Sequence, residues 1–284
     1  MSRLLHAEKM YGVIGHPVGH SLSPLMHNDQ FQHQSLPAFY HAFDVMPEYL
    51  GDALQGLKAL GVSGFNVTVP HKIEVMQYLD GLDEEARLIG AVNTIVKEEK
   101  GWIGYNTDGD GYVQSLLSKV GSALPDSNIL VIGAGGAARA VISALTGHKA
   151  EQVTITNRTF SKAEALQERM AERAAVCALP TQQAEKETPS FDIIINTTSV
   201  GMSPQTDRMP WPVDGLKPGC VVSDLIYNPL KTKWLQEAQK RGADILNGTG
   251  MFVGQGAIAF EKWTGIQPDT KRMHNVVMKQ LGGN

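Results

Sequence analysis

The stretch 128-NILVIGAGGAARAVISAL-145 decides the fold class of this chain. An apolar, β-rich run leads into a glycine loop and then into an amphipathic helix, with Gly133, Gly135 and Ala138 in a GxGxxA arrangement. In such a loop the first glycine permits a tight turn, the second lets backbone approach a pyrophosphate, and the small third residue lets the helix lie close to the strand. The free N–H groups of the helix N-terminus favour a phosphate. The context predicts a dinucleotide-binding α/β domain.

The following strand, 153-VTITN-157, indicates which dinucleotide is bound. NAD enzymes carry an acidic residue at the end of this strand for the ribose hydroxyls, whereas this chain continues as 157-NRTFSK-162. Cations and a hydroxyl there suit a 2′-phosphate, and a positive charge at a helix start is otherwise disfavoured by the helix dipole. The sequence predicts NADP. The candidate cofactor-binding residues are Gly133, Ala134, Gly135, Gly136, Ala137, Asn157, Arg158, Thr159 and Lys162.

The alternation of strands and helices on both sides of this motif predicts two domains. Upstream, β-rich runs such as 64-GFNVTV-69 and 91-AVNTIV-96 alternate with helical segments such as 47-PEYLGDALQGLKALG-61. This pattern is typical of an α/β domain with a largely parallel sheet. Near the C-terminus, 248-GTGMFVGQGAIAFEKWTG-265 reads as a helix that packs back on the first half. We expect a discontinuous substrate-binding domain over 1–107 and 246–284, a Rossmann-type domain over 108–245, and the site in the cleft between them.

Local signals place several helix starts. Ser23 is suited to cap a helix in which Pro24 takes the first position, because proline lacks an N–H. Ser161 and Glu164 have the spacing of a capping box. A further helix is predicted to begin near His71.

Composition excludes several classes of function. The 284 residues carry 25 Lys plus Arg against 29 Asp plus Glu, with no basic run to follow nucleic acid. No apolar segment resembles a signal peptide or a membrane span, which favours a soluble cytoplasmic protein. Cys177 and Cys220 lie in apolar stretches that indicate buried strands. The histidines at 16, 20, 27 and 71 show no fixed ligand spacing, so we expect loop and surface residues and no metal.

Two segments supply groups for proton transfer. Lys72 ends 66-NVTVPHK-72, just after a predicted strand, and Asp108 lies in 104-GYNTDGDG-111 near the expected domain junction. A lysine and a carboxylate in a closed cleft can exchange a proton with a substrate hydroxyl. Burial would lower the lysine pKa and the carboxylate would raise it, so the sequence leaves the balance open.

A wider polar set lies at predicted strand ends and helix starts, where α/β sheets present ligands. It contains a single carboxylate and suits a small polyhydroxylated molecule, whose own carboxylate would be held by serines at a helix N-terminus. The glycines of 248–256 fit close packing better than a second dinucleotide loop. The set is Ser21, Ser23, Thr68, Asn93, Asp108 and Gln255.

These motifs together resemble the shikimate dehydrogenase family over nearly the whole chain. The family's motif order matches 15-GHPVGHSLSPLMHN-28, 64-GFNVTVPHK-72, 104-GYNTDGDG-111, 196-NTTSVGM-202 and 224-DLIYNP-229. The resemblance implies that Ser21 and Ser23 bind the carboxylate of shikimate and that Lys72 and Asp108 form the catalytic pair. It also implies hydroxyl contacts from Asn66, Thr68, Asn93, Asp108 and Gln255, a place for Tyr227 near the carboxylate, and places for Thr198 and Met251 in the NADP site.

The implied reaction is the reversible NADPH-dependent reduction of 3-dehydroshikimate to shikimate, on the route to chorismate and the aromatic amino acids, by a monomer or homodimer. Three alternatives stay open. A quinate/shikimate dehydrogenase using NAD would carry an acidic residue near 158–162, a non-catalytic NADP-binding sensor would lack Lys72 or Asp108, and a paralogue acting on a related acid would alter the serines or Gln255.

Overall fold

The computed structural model of the chain describes residues 9–171 and 175–282. Residues 1–8, part of the expected first domain and of the segment searched for a signal peptide, lie outside the described residues, as do 172–174 and 283–284. The described chain forms two compact units, residues 9–107 with 255–282 and residues 108–254. Among the described residues, no helix is both long and apolar enough to cross a membrane.

The first unit contains a six-stranded mixed sheet in the order β2-β1-β3-β5-β6-β4. β1 pairs in parallel with β2 and β3, whereas β3–β5 and β5–β6 are antiparallel. The expected largely parallel sheet is therefore only partly observed here, because β5 and β6 form a hairpin. The strands are β1 Lys9–Gly15, β2 Ala38–Asp44, β3 Gly64–Val67, β4 Gly81–Leu82, β5 Thr94–Glu98 and β6 Gly101–Tyr105, and the helices are α1 Ser23–His33, α2 Leu50–Ala59, α3 Glu84–Ile89 and α10 Thr270–Gln280.

The second unit contains a six-stranded parallel sheet in the order β9-β8-β7-β10-β11-β12. This is the doubly wound order of a Rossmann domain, and the chain reverses direction across the sheet between β7 and β10. The strands are β7 Asn128–Ile132, β8 Gln152–Thr156, β9 Val176–Ala178, β10 Ile193–Asn196, β11 Val221–Asp224 and β12 Asp244–Leu246; the helices are α4 Asp108–Val120, α5 Gly136–Gly147, α6 Phe160–Met170, α7 Thr181–Lys186 and α8 Lys233–Lys240.

Helix α9, Thr249–Thr264, contributes to both units. Its first turns pack on α4 through glycines: a Cβ at Gly250 would lie 2.0 Å from the Ser115 hydroxyl, and one at Gly254 would lie 2.8 Å from the Gly111 carbonyl oxygen. Close packing is thus the role of these glycines. It also explains why residues 246–254, which we expected in the first domain, group with the second unit.

Several local predictions are corrected by the structure. Helix α1 already includes Ser23 and is preceded by Leu22, so Pro24 takes the second position and Ser23 is no cap. Helix α6 starts at Phe160 after Thr159, without a side-chain cap, so Ser161 forms no capping box. A short 3-10 helix, Glu74–Tyr78, replaces the helix expected near His71. These starts depend on how each loop enters its helix, which tertiary packing sets.

Two predictions about burial are also wrong. Cys177 is exposed on the short strand β9, whereas Cys220 is buried. His27 and His71, expected on the surface, are 0% and 1% exposed. Among the residues that the structure describes, no group of three or more His, Cys, Asp or Glu residues is placed to hold a metal ion.

Candidate active site

Most of the predicted substrate-binding residues of the first unit lie at one edge of its sheet. β1, β3 and β6 run in the same direction and β5 runs against them, so the ends of three strands and the start of the fourth meet there. Ser21 and Ser23 follow β1, Thr68 and Lys72 follow β3, and Asn93 precedes β5. Open α/β sheets bind ligands at the carboxyl ends of their parallel strands, and the carboxyl ends of β1 and β3 lie at this edge.

The loop after β1 delivers the two serines. The His16 N–H donates to the Val69 carbonyl (3.0 Å) and the Ser21 N–H donates to the Val18 carbonyl (3.0 Å), so the loop is fixed to the segment after β3 and to itself. The Ser21 Oγ accepts the Ser23 N–H at 3.3 Å, which satisfies one free amide of the α1 start. Ser21 therefore makes the capping-type contact that was predicted for Ser23.

A buried hydrogen-bond network orients Asn66. The Tyr40 hydroxyl donates to Asn66 Oδ1 at 2.7 Å, while Asn66 Nδ2 donates to the Asn93 carbonyl (3.2 Å) and to Thr94 Oγ1 (3.1 Å). Tyr40 is fully buried, which raises its pKa well above the ordinary value, and it is also hydrogen-bonded to Ser23. The network links the start of α1 to the centre of the sheet through one tyrosine.

Asn93 and Gln255 meet at Thr107. Asn93 Nδ2 donates to Thr107 Oγ1 (3.0 Å), and Asn93 Oδ1 accepts the Thr107 N–H (2.8 Å). The Thr107 hydroxyl also donates to the Gln255 carbonyl at 3.1 Å. Gln255 was predicted at a helix start but lies inside α9, and its backbone carbonyl lies beside Thr107, the second residue after β6.

Lys72 lies in the turn after β3. The His71 N–H donates to the Thr68 carbonyl (3.0 Å) and the Lys72 carbonyl accepts the Val92 N–H (2.8 Å), so the turn is fixed on both sides. The buried His71 ring contacts the Val45 carbonyl at 2.6 Å. Lys72 itself is half-buried. The backbone around it is therefore well held, while the ammonium group sits on a side chain that water still reaches.

Asp108 is the first residue of α4 in the second unit, and it is 6% exposed. Asp110 also lies in the first turn, where negative charge interacts favourably with the helix dipole. Gly109, which follows Asp108, packs against α5, since a Cβ there would lie 2.3 Å from the Ala140 carbonyl oxygen. A side chain at 109 would push α4 off α5, so the glycine fixes the position of the carboxylate beside it.

The glycine loop lies at the reversal point of the second sheet. Gly133 adopts φ +117°, and a Cβ there would meet the Thr197 hydroxyl at 2.4 Å, so only glycine fits this turn. Gly135 precedes α5 in extended backbone, and no atom lies within 4 Å of where its Cβ would be. The first N–H groups of α5 are thus approachable by a phosphate. Ala134, Gly136 and Ala137 complete this loop and helix start.

The segment after β8 presents the predicted 2′-phosphate ligands. Arg158, Thr159 and Lys162 are all exposed at the start of α6. Asn157 Nδ2 donates to the Thr159 carbonyl at 2.8 Å, which holds the turn before the helix. The Gly133 N–H donates to the Thr156 carbonyl at 2.8 Å, so this segment and the glycine loop are directly connected.

The loops after β10 and β11 carry two more predicted residues, Thr198 and Tyr227, and helix α9 carries a third, Met251. The Thr198 N–H and hydroxyl both donate to Asn196 Oδ1, at 2.9 and 2.7 Å. The rings of Tyr227 and Phe252 contact each other with centroids 4.7 Å apart, which places Tyr227 next to the α9 turn that contains Met251. Burial raises the pKa of Tyr227.

Comparison with known proteins identifies the family. Three family models match the chain: the shikimate dehydrogenase substrate-binding domain over residues 13–95, shikimate/quinate 5-dehydrogenase over 115–204, and the shikimate 5′-dehydrogenase C-terminal domain over 248–278. The shikimate dehydrogenase (NADP(+)) of Geobacillus sp. (strain WCH70) is 52% identical over 276 residues, 97% of this chain and all of that protein. The chain belongs to the shikimate dehydrogenase family.

Solved structures of the family have the same fold. A shikimate dehydrogenase in complex with NADP+ is 46% identical, covers 96% of both chains and superposes with a TM-score of 0.90. Shikimate 5-dehydrogenase from Thermus thermophilus, in complex with NADP(H) and shikimate, is 35% identical over 95% of this chain and 99% of that one, with a TM-score of 0.87. The expected two-domain α/β fold is confirmed.

Sequence reasoning missed the residues that hold the family's motif residues in place. Tyr40 lies on the edge strand β2, where the alternating pattern gave no reason to expect a polar role. Asn196 and Asp224 end β10 and β11, and both are buried. The sequence contains a signal for both residues, because a polar residue that ends an apolar strand of a parallel sheet lies at the edge where such sheets bind ligands.

Proposed function

We propose that this chain catalyses the reversible NADPH-dependent reduction of 3-dehydroshikimate to shikimate. The carrying observation is its 52% identity to a shikimate dehydrogenase (NADP(+)) over the whole of that protein. The chain is an oxidoreductase that acts on a CH–OH group and uses NADP. A soluble enzyme of the cytoplasm, acting as a monomer or homodimer, fits a biosynthetic role of this kind.

The residues of the second unit fit NADP. The tight turn at Gly133 and the open approach at Gly135 leave the α5 N-terminus accessible to a pyrophosphate. Arg158 and Lys162 are exposed cations at the end of the next strand, with the Thr159 hydroxyl beside them. A guanidinium forms strong charge-assisted bonds to a 2′-phosphate. The loop residues Gly133 to Ala137, the segment Asn157 to Lys162, Thr198 and Met251 would together hold the cofactor.

The residues of the first unit fit a hydroxylated acid. Ser21 and Ser23 offer hydroxyl groups at the start of α1, where negative charge is favoured. Amide and hydroxyl groups from Asn66, Thr68, Asn93 and Gln255 would contact the ring hydroxyls. For Tyr227, which belongs to the second unit, the family resemblance implies contact with the carboxylate. Since Asn66 and Asn93 are already oriented by protein partners, the site would lose little rotamer entropy when substrate binds.

Proton transfer falls to Lys72 and Asp108. When bound, NADPH supplies a hydride to the ketone carbon of 3-dehydroshikimate. The Lys72 ammonium then donates its proton to the oxygen on which negative charge develops, which yields the shikimate hydroxyl. The Asp108 carboxylate accepts a hydrogen bond from the substrate, the role that the family resemblance implies. In the oxidation direction, neutral Lys72 takes the hydroxyl proton.

An assay with four substrate and cofactor pairs tests the proposal. Shikimate and quinate are each offered with NADP+ and with NAD+, and reduction of the cofactor is followed by absorbance. We expect the highest catalytic efficiency for shikimate with NADP+. Equal use of quinate and NAD+ would favour the quinate/shikimate dehydrogenase, and cofactor binding without turnover of either acid would favour a sensor.

A further inference from the structure

A buried carboxylate of the second unit takes no part in the proposed chemistry. Asp224 ends β11 and is 1% exposed. Its Oδ1 accepts Asn196 Nδ2 at 3.0 Å and the Ile226 N–H at 3.1 Å, and its Oδ2 accepts the Thr232 hydroxyl at 2.9 Å. Every one of these partners donates, so the pocket is complementary to an ionised carboxylate.

The partners of Oδ1 lead directly to the two loops that carry candidate binding residues. Asn196 turns its own Oδ1 to the N–H and hydroxyl of Thr198, and its Nδ2 also contacts the Val200 carbonyl at 3.3 Å. Ile226 immediately precedes Tyr227, and the Ile226 carbonyl accepts the Gly248 N–H at 3.0 Å, just before helix α9. The partners of Asp224 are thus connected to three candidate binding residues. Asn196 is hydrogen-bonded to Thr198, and Ile226 is the chain neighbour of Tyr227. The Ile226 carbonyl is also bonded to Gly248, just before the α9 turn that contains Met251.

We propose that Asp224 is a positioning residue for both loops: its ionised carboxylate holds Thr198 through Asn196 and Tyr227 through the Ile226 amide. The inference rests on the proposed function, because it assigns these loops to NADP and to shikimate. The Asn196 amide group donates to Asp224 Oδ1 and to the Val200 carbonyl, and these two bonds turn its carbonyl oxygen toward Thr198. A protonated carboxyl group would direct its own hydrogen toward groups that also donate, and would therefore lose at least one of these bonds.

The protonation state of Asp224 changes in a pH range in which binding can be measured. Burial raises the pKa of the carboxyl group to about 6, against the lowering effect of the bonds from Ile226, Thr232 and Asn196. Tyr112 of α4 is a titratable neighbour: its hydroxyl donates at 3.0 Å to Ser223, the residue before Asp224, and the charge of Asp224 helps to raise the pKa of Tyr112. Lys231 and Lys233 flank Thr232 but contact Gln239 and the Asp207 carbonyl instead.

Calorimetric titration of the full chain with NADP+, and separately with shikimate, tests the proposal between pH 8 and pH 5. Asp224→Asn keeps the side-chain volume and presents an amide to the donors. We expect it to weaken both ligands roughly tenfold at pH 8, the scale of lost charge-assisted bonds. The wild-type affinities should fall toward the variant's values as the pH passes below about 6.

Two matched variants separate positioning from general weakening of the fold. Thr232→Val removes the Oδ2 partner together with the cap that the Thr232 hydroxyl gives to the Leu235 N–H of α8, and leaves both partners of Oδ1. Asp192→Asn changes a carboxylate at the opposite end of β10 that accepts the Asn128 N–H at 2.8 Å. Both should lower the thermal midpoint and leave the two affinities within about threefold. Equal loss of affinity in Thr232→Val, or unchanged affinity in Asp224→Asn, overturns the proposal. Failure of wild-type to bind either ligand overturns the proposed function as well.

Discussion

The candidate groups of the two units are prepared for binding in opposite ways. In the first unit, Asn66 and Asn93 are buried and bonded to protein partners. In the second unit, Arg158 and Lys162 are exposed at the start of a helix. Folding therefore fixes the orientation of the buried amide groups, whereas the orientation of the exposed cations is left to ligand binding. Substitutions of the buried amide residues should consequently alter stability and binding together, and substitutions of the two exposed cations should alter binding alone.

The largest expected effect comes from Lys72, which departs from this pattern. It belongs to the first unit, but its side chain is half-buried, whereas Asn66 and Asn93 are buried. Lys72→Ala should lower turnover by about 100-fold or more, the scale for loss of a general acid or base, with shikimate affinity within roughly tenfold of wild-type. Steady-state kinetics with shikimate and NADP+ measure both quantities.

A matched control for Lys72 is Lys58→Ala. Lys58 is an exposed lysine of the same unit, paired with Asp80 at 3.0 Å, and such pairs contribute little to stability. Turnover should be unchanged in this variant. A steep rise in the Michaelis constant of Lys72→Ala with nearly normal turnover would show that Lys72 binds substrate and does not transfer the proton.

Arg158→Ala should weaken the use of NADP+ without lowering the stability of the fold. A charge-assisted contact to a 2′-phosphate contributes about 1.5–3 kcal/mol, so the NADP+ Michaelis constant should rise roughly ten- to a hundredfold. The weaker use of NAD+ should barely change, because NAD+ has no phosphate there. The thermal midpoint should stay near the wild-type value, since Arg158 is exposed.

The ratio of catalytic efficiencies with the two cofactors decides the role of Arg158. Arg241→Ala serves as the control, because Arg241 is an exposed arginine of the same unit that pairs with Asp214 at 2.6 Å. It should leave the ratio unchanged. Equal losses with NADP+ and NAD+ in Arg158→Ala would mean that the guanidinium supports the loop and does not contact the phosphate.

How far the sequence predicts this molecule depends on how local each signal is. The GxGxxA loop and the segment after β8 are contiguous motifs, and the structure places them side by side at the reversal point of the parallel sheet. Tyr40 and Asn66 are 26 residues apart, and no local pattern pairs them. The starts of α1 and α6 were misplaced for the same reason, since the incoming loops are fixed by contacts from other strands.

Tyr40→Phe tests whether stability and binding are coupled in the first unit. The change leaves the buried Asn66 Oδ1 without its donor, which costs about 1–3 kcal/mol. The thermal midpoint should fall by roughly 2–10 °C and shikimate should bind severalfold more weakly. Differential scanning calorimetry and shikimate titration measure the two effects.

Tyr105→Phe is the control for Tyr40. Its hydroxyl donates to Glu98 at 2.5 Å in an exposed contact on the same sheet, so the loss should be within about 0.5 kcal/mol. If Tyr40→Phe lowers the midpoint while shikimate affinity is unchanged, the network stabilises the fold without orienting the candidate site, and the comparison between the units fails on its first-unit side.

The smallest effect at neutral pH concerns His27, a residue next to the network. Its ring is fully buried and stacks on Tyr40 with centroids 4.5 Å apart, and neither ring nitrogen has a hydrogen-bond partner in the described structure. Burial lowers the pKa of His27 to about 3. The unfolded chain, whose histidine pKa is near 6.5, therefore binds a proton that the folded chain does not, at any pH between these values.

The contribution of neutral, buried His27 to the free energy of unfolding should be fully present above about pH 6.5. It should be lost progressively as the pH falls toward 3, at up to about 1.4 kcal/mol per pH unit. His27→Phe keeps an aromatic ring in the stack and removes the titrating group. Urea unfolding at pH 7.5 should show a small difference from wild-type, whereas at pH 5 the variant should have lost less stability. His41→Phe, at an exposed position of β2, should retain the wild-type slope. Identical slopes in wild-type and His27→Phe would mean that a proton reaches the buried ring, and that the core beneath Tyr40 is less closed than its stacking indicates.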